Sequence, residues 1–109
     1  MKTKPKWQDL KSILDHYGER HQLEKLKEEC MELIDAIDSF VKNNNIRTAD
    51  HLLEEMADVK VVIDEFRTVD AYDSIIRGIA VYKVDRQLKR IELQKEPKHI
   101  CKGGVCYVK

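Results

Sequence analysis

Two short stretches of this chain place acids where they could do chemistry together: Glu28-Glu29-Cys30-Met31-Glu32 and Glu54-Glu55-Met56-Ala57-Asp58. In each, an acid is followed three residues later by another. On a helix at about 100° per residue the two side chains stand next to each other, roughly 60° apart. Solvated helical acids usually find a basic partner one turn on. The residues one turn on from Glu29, Glu32, Glu55 and Asp58 are Leu33, Ala36, Val59 and Val62, and none is basic. Carboxylates crowded at the edge of an apolar face repel and raise one another's pKa unless a cation sits among them. A ligand set of oxygen alone suits a hard ion, Mg²⁺ or Mn²⁺, completed by water or phosphate. The competing reading is a solvated or salt-bridged acidic face. Glu28 and Glu54 point further from the apolar stripes, as supporting or surface groups, and Glu24, one turn before Glu28, reads as solvated charge.

The elements that must position these acids follow from sparse turn signals: Gly18, the run Asn43-Asn44-Asn45, and the tail from Pro97 through Gly103-Gly104. Between them apolar residues recur at helical spacing. Trp7, Leu10, Leu14 and Tyr17 predict a first helix over residues 5–17, closed by Gly18 as its C-terminal glycine. Leu23, Leu26, Cys30, Leu33, Ile37 and Phe40 predict a second, ending at the asparagine run. Thr48 or Asp50 would cap a third, with the stripe Leu52, Met56, Val59, Ile63 and Phe66. A fourth is expected from about Ala71 to Gln94, with Tyr72, Ile75, Ile79 and Tyr82 on its apolar side. On the second helix Glu29 falls in the margin of the stripe, between Phe40 and Ala36. On the third, Glu55 falls between Phe66 and Val62. Antiparallel packing through these stripes would bring all four acids to one pocket.

Composition narrows the class. A chain of 109 residues makes one domain, read as residues 1–96 with a tail over 97–109. A domain of that size buries a modest core, so an all-α, four-helix-bundle-like protomer completed by homo-oligomerisation is expected. Charged residues are 37% of the chain, with few Gly and Pro, which suits long helices. Lys+Arg and Asp+Glu both number 20, which gives no support for nucleic acid or a membrane surface as a partner. No run of about eighteen apolar residues predicts a membrane span. The basic N-terminus lacks a signal peptide's apolar stretch. The 3 cysteines, an odd number, make no disulfide framework, so a cytoplasmic setting is expected.

At the acidic stretches the sequence resembles a known family. The segment from Gln22 to Leu33, with Glu28-Glu29-x-x-Glu32 at its centre, looks like the EExxE signature of MazG-like nucleoside triphosphate pyrophosphohydrolases. Glu54-Glu55-Met56-Ala57-Asp58-Val59 looks like their second, ExxD. The likeness covers about residues 13 to 92. It implies Mg²⁺-dependent hydrolysis of (deoxy)nucleoside triphosphates between the α and β phosphates, giving a monophosphate and pyrophosphate, in nucleotide-pool sanitation. Carried over by position, Glu29, Glu32, Glu55 and Asp58 would hold two or more Mg²⁺ ions, with one of them or Glu28 orienting the attacking water. It also implies a homodimer or homotetramer whose pocket is shared between chains. Phosphoribosyl-ATP pyrophosphohydrolases have the same acidic pattern and are the alternative enzyme. The stretch Val59-Lys60-Val61-Val62-Ile63 lacks the tyrosine and histidine they tend to carry. A non-catalytic helical interaction or regulatory protein of the same fold is the alternative outside enzymes.

Lys83, Arg86 and Arg90 continue the sector of the fourth helix that begins with Tyr72, Ile75 and Ile79, so a core stripe turns basic halfway along. Its apolar residues pass to Val84, Leu88 and Ile91. The three cations resemble the family's triphosphate-binding residues, although the Asn common there is missing; otherwise they form a solvated basic face. Trp7 either anchors the first helix in the core or stacks on a base. Gln22, one turn before the acids, could reach sugar or phosphate. His16 and His21 flank Gly18 at a possible entrance. Cys30 is expected as a buried small hydrophobe. The spacing His99-x-Cys101-x₄-Cys106 is a poor zinc site, and a plain tail with a short extended segment is the expected alternative.

Overall fold

Two helix breaks organise the chain. Gly18 has φ 88° and ψ 158°, a backbone conformation that only glycine adopts without strain. Its N–H bonds to the Leu14 carbonyl at 2.8 Å, and its own carbonyl accepts from the Gln22 N–H at 3.1 Å, so one residue both closes a helix and opens the next. The second break is Asn43–Asn45. The Asn45 side chain accepts from the N–H groups of Arg47 (2.9 Å) and Thr48 (3.0 Å), and the Asn45 N–H donates to Thr48 Oγ1 at 3.2 Å. Asn45 is therefore the cap in place of the expected Thr48 or Asp50. Thr48 serves as the returning half of a capping box, a role its hydroxyl fills as well as a Glu or Gln would.

The computed structural model describes residues 6–95 and the backbone of residues 101–102 and 105–106. Residues 6–95 are all-α: α1 (Trp7–Tyr17), α2 (Glu19–Lys42), α3 (Ile46–Phe66) and α4 (Asp70–Lys95). Near the C-terminus β1 (Cys101–Lys102) and β2 (Val105–Cys106) pair antiparallel, with Cys101 opposite Cys106. This is the short extended segment expected of the tail. The zinc reading involves His99 and cysteine side chains, which lie outside the described residues. No described helix is long and apolar enough to cross a membrane.

The chain divides between Asp73 and Ser74 into two compact units. In the first, α2 and α3 form an antiparallel hairpin: the start of α2 meets the end of α3, where Gln22 Nε2 donates to Glu65 Oε1 at 2.7 Å. The buried and half-buried residues of α2 are Gln22, Leu26, Glu29, Leu33, Ala36 and Phe40. Along α3 the sequence Thr48, Leu52, Glu55, Val59, Val62 and Phe66 repeats the same alternation of fours and threes. Leu14 of α1 packs with Val62 and Phe66 in the core, flanked by Leu26 and Val69. Each such buried side chain stabilises the fold by about 1.5–3 kcal/mol.

These seams are rotated by roughly 50° from the expected stripes, on both helices and toward the acids. Leu26, Leu33 and Phe40 are shared, but Leu23 (55% exposed), Cys30 and Ile37 give way to Gln22, Glu29 and Ala36. On α3, Met56 and Ile63 likewise give way to Glu55 and Val62. Cys30 is thus exposed, contrary to the reading as a buried small hydrophobe. The cause is an apolar face broader than one helical contact can cover. Leu14 anchors α1, whereas Trp7 remains 51% exposed.

The corner from α3 into α4 is tied by Arg67, whose guanidinium bonds to Asp73 at 2.8 Å and Asp64 at 3.3 Å. Tyr72 donates its hydroxyl to Glu19 Oε1 at 2.9 Å. In the second unit, α4 from Ser74 to Lys95 contains no buried residue.

The two described glycines predict opposite responses to alanine. Nothing lies within 4 Å of a Cβ built at Gly18 or Gly78, so only backbone preference decides. Gly18→Ala should destabilise by about 1–3 kcal/mol. Gly78→Ala, inside α4, should stabilise by about 0.5–1 kcal/mol. Equal effects of one sign in thermal or urea unfolding would contradict the backbone assignment at Gly18.

Candidate metal centre

The rotated seams carry two carboxylates into the α2–α3 contact. Glu29 and Glu55 are each only 8% exposed, and with Glu32 at the rim they offer oxygens that all lie within 4.8 Å of one another. Asp58, one turn on from Glu55 and exposed, is outside that group but close enough for its charge to act on Glu55. Three of the four expected acids are therefore brought together, and the fourth stands beside them.

Each buried acid has a base one turn earlier on the same helix near its outer oxygen: Lys25 Nζ pairs with Glu29 Oε2 at 3.2 Å, and His51 Nδ1 lies 3.8 Å from Glu55 Oε2 and equally far from Glu54 Oε1. The inner oxygens, Glu29 Oε1 and Glu55 Oε1, are buried and have no hydrogen-bond partner. An ionised oxygen removed from water without a donor is costly. A hard cation among the three acids would supply a partner of the kind these oxygens lack, so the residues fit Mg²⁺ or Mn²⁺ by donor type. Lys25 and His51 are missed by a search that looks only one turn on from each acid. Looking one turn back finds both, in the paired patterns Lys25-x₃-Glu29 and His51-x₃-Glu55.

Electrostatics point the same way. Burial, and then the charges of Glu32 and Asp58, raise the Glu55 carboxyl above the ordinary range, with His51 opposing; the Glu32 carboxylate beside it adds to the rise. The hydrogen bond to Glu29 and that carboxylate's charge hold the Lys25 ammonium above its usual value, with lesser help from Glu28 and Glu32 and opposition from burial.

Beside the acids runs a cleft of about 460 Å³, lined among others by Tyr17, Gln22, Lys25, Glu29 and Asp58. Gln22 is 4% exposed and Glu65 2%. Because the Glu65 carboxylate accepts from Gln22 Nε2, the Gln22 oxygen faces His21, whose Nδ1 donates to it at 2.7 Å. The His21 ring stacks on Tyr17 at 4.7 Å between centroids, so it belongs to this wall. His16 meets Tyr17 edge-on.

None of the other expected site residues belongs to the three-acid group. Glu28 is exposed in a groove with His21, Glu24 and Lys25, and the Glu54 side chain is 76% exposed. Trp7 lines a different cleft with Asp64, Arg67 and Asp73 among others, which shares no residue with the one beside the acids. Lys83, Arg86 and Arg90 are exposed on α4 in the second unit, with the Arg86 guanidinium 5.8 Å from the Tyr82 ring centre.

A carboxyl whose pKa is raised by folding contributes stability that is complete below its unfolded pKa and is lost as pH rises through the folded value. Glu55→Gln should therefore raise the melting temperature of the metal-free protein at neutral pH. The gain over the parent chain should shrink as pH falls toward the ordinary carboxylate range. Millimolar Mn²⁺ should raise the parent's melting temperature and move the variant's less. A lower melting temperature for metal-free Glu55→Gln would contradict the burial of an unsatisfied charge.

No protein-family model, curated protein or solved structure matches this chain, so the chemistry of its own side chains bears the weight of any functional reading.

Proposed function

We propose that the chain is a pyrophosphohydrolase that cleaves (deoxy)nucleoside triphosphates between the α and β phosphates, releasing a nucleoside monophosphate and pyrophosphate. One observation carries the reading: two buried carboxylate oxygens, Glu29 Oε1 and Glu55 Oε1, lack any donor, and their residues form with Glu32 a three-acid group of the donor type that a hard cation takes. The resemblance of the two acidic signatures to those of MazG-like enzymes supports the substrate and the bond.

In this reading Glu29, Glu32 and Glu55 hold Mg²⁺, with Mn²⁺ as a working substitute, and Asp58 completes the set. Bound metal would supply charge neutralisation at the phosphates and an activated water. The chain's own residues do the rest. The α2–α3 seam keeps the ligating oxygens dry and fixed, so little reorganisation is needed when substrate arrives. The cleft walled by Tyr17, His21 and Gln22 gives a nucleoside a place beside the acids. Lys83, Arg86 and Arg90, exposed on α4, are the cations that the resemblance assigns to the triphosphate. Limiting or cleansing the nucleotide pool is the role this activity would serve.

Self-association, as a dimer or tetramer, belongs to the same proposal. Met31, Ile34, Ile37 and Leu53 in the first unit, and Ile75, Ile79, Leu88 and Ile91 in the second, are between 40% and 61% exposed. Exposure of this extent along whole helices is what copies of a chain bury against one another in helical assemblies.

The test is a panel of common and modified nucleoside triphosphates with Mg²⁺, scoring the first phosphorus product. Pyrophosphate should be released from at least one, and Glu32→Gln or Glu55→Gln should each lower kcat by roughly a hundredfold or more while the helical circular dichroism stays intact. Orthophosphate as the first product, or a nearly active Glu55→Gln protein, would sink the reading.

A further inference from the structure

The first unit contains a cation of its own at the acid cluster. Lys25 Nζ touches the outer oxygen of Glu29, leaving the inner oxygen without a partner, and the Lys25 side chain is 45% exposed. Among the described residues it is the one Lys or Arg lining the cleft of about 460 Å³, whose wall also includes Glu29, Asp58 and Glu65. A cleft with three carboxylates in its wall repels a polyanion. A lysine locked onto one of those carboxylates does little to change that.

We infer that Lys25 is an exchangeable counter-ion: it neutralises Glu29 in the metal-free protein and passes to the polyphosphate of the substrate when a divalent ion occupies the acids. The inference rests on the metal centre and substrate class proposed above. Charge balance drives the exchange. A dication among Glu29, Glu32 and Glu55 weakens the pull of Glu29 on Lys25 and repels the ammonium directly. Lysine suits the task, being a compact charge on a flexible stem whose three donors can change partners, unlike a guanidinium forked onto one carboxylate. The partly exposed stem leaves the ammonium room to turn into the cleft it already lines. Metal and polyphosphate then assist each other through one side chain, because the ion frees the cation that the phosphates require.

The sign of the effect separates this from a fixed support. If Lys25 only props Glu29 in place, removing it weakens the metal. If it is a counter-ion, removing it strengthens the metal and weakens the polyphosphate. The experiment measures Mn²⁺ binding by electron paramagnetic resonance for the parent chain, Lys25→Gln and Lys25→Arg. Calorimetry with the Mn²⁺–tripolyphosphate complex follows, with circular dichroism as the check on folding. Lys25→Gln should bind Mn²⁺ alone about fivefold more tightly. It should bind the Mn²⁺–tripolyphosphate complex about tenfold more weakly. Lys25→Arg should bind the Mn²⁺–tripolyphosphate complex more weakly than the parent but less weakly than Lys25→Gln, since the charge is retained while the guanidinium stays forked onto Glu29. Weaker or unchanged Mn²⁺ binding in folded Lys25→Gln overturns the inference, as does unchanged tripolyphosphate binding. A parent chain that binds Mn²⁺ and shows these shifts, yet releases no pyrophosphate from any nucleotide, would remove the proposed reaction and leave the exchange standing.

Discussion

Two carboxylates taken out of water at the contact between two helices set the terms for the rest of this molecule. Glu29 and Glu55 sit at seam positions that leucine or valine would fill in an ordinary helical hairpin, and each keeps one oxygen with no donor. Such an arrangement survives only if neighbouring residues hold it in place and something compensates the charge. The compensation is visible in part: Lys25 and His51 reach the outer oxygens, and the Glu55 carboxyl shifts toward its neutral form. The restraint comes from a hairpin with a tight connection, a core of Leu14, Val62 and Phe66, and the Gln22–Glu65 bond at its far end.

That far end has its own logic. Glu65 is the most deeply buried acid in the first unit, yet it poses a smaller problem than Glu29 or Glu55 because Gln22 donates to it directly. The amide that satisfies Glu65 is itself oriented by His21, and His21 lies flat against Tyr17. A chain of contacts thus runs from a buried carboxylate to an aromatic wall. The same helix pair thus holds one buried acid that accepts from an amide and two that each keep an oxygen without a donor.

Much of this was legible in the residues. Helical spacing and the two asparagine and glycine breaks located all four helices, and the i, i+3 acids marked the turns that converge. The shortfall was rotational. A helical wheel finds the centre of all apolar residues on a helix, whereas the contact with one neighbour uses only part of that face. Both seams therefore turned from Leu23, Cys30 and Ile37, or Met56 and Ile63, toward the acids, and residues expected inside were found outside. The bases of Lys25-x₃-Glu29 and His51-x₃-Glu55 were equally readable, but in the direction toward the N-terminus. Glu65 carried no local signal, since its partner is 43 residues away in the chain.

The connection Asn43–Asn45 also sets a phase. With Asn45 locked as the cap of α3 and Asn43 closing α2, no slack remains through which one helix could turn against the other. One residue inserted within α3 between the Asn45 cap and Glu55 would turn every later side chain of that helix by about 100°, carrying Glu55 out of the seam while leaving the helix itself undamaged. Three or four residues inserted there would return the acid toward its original azimuth, displaced along the axis by about one turn. The stretch from the Asn45 cap to Glu55 is thus a ruler for the carboxylate pair, and chains sharing the arrangement should differ there in whole helical turns or not at all.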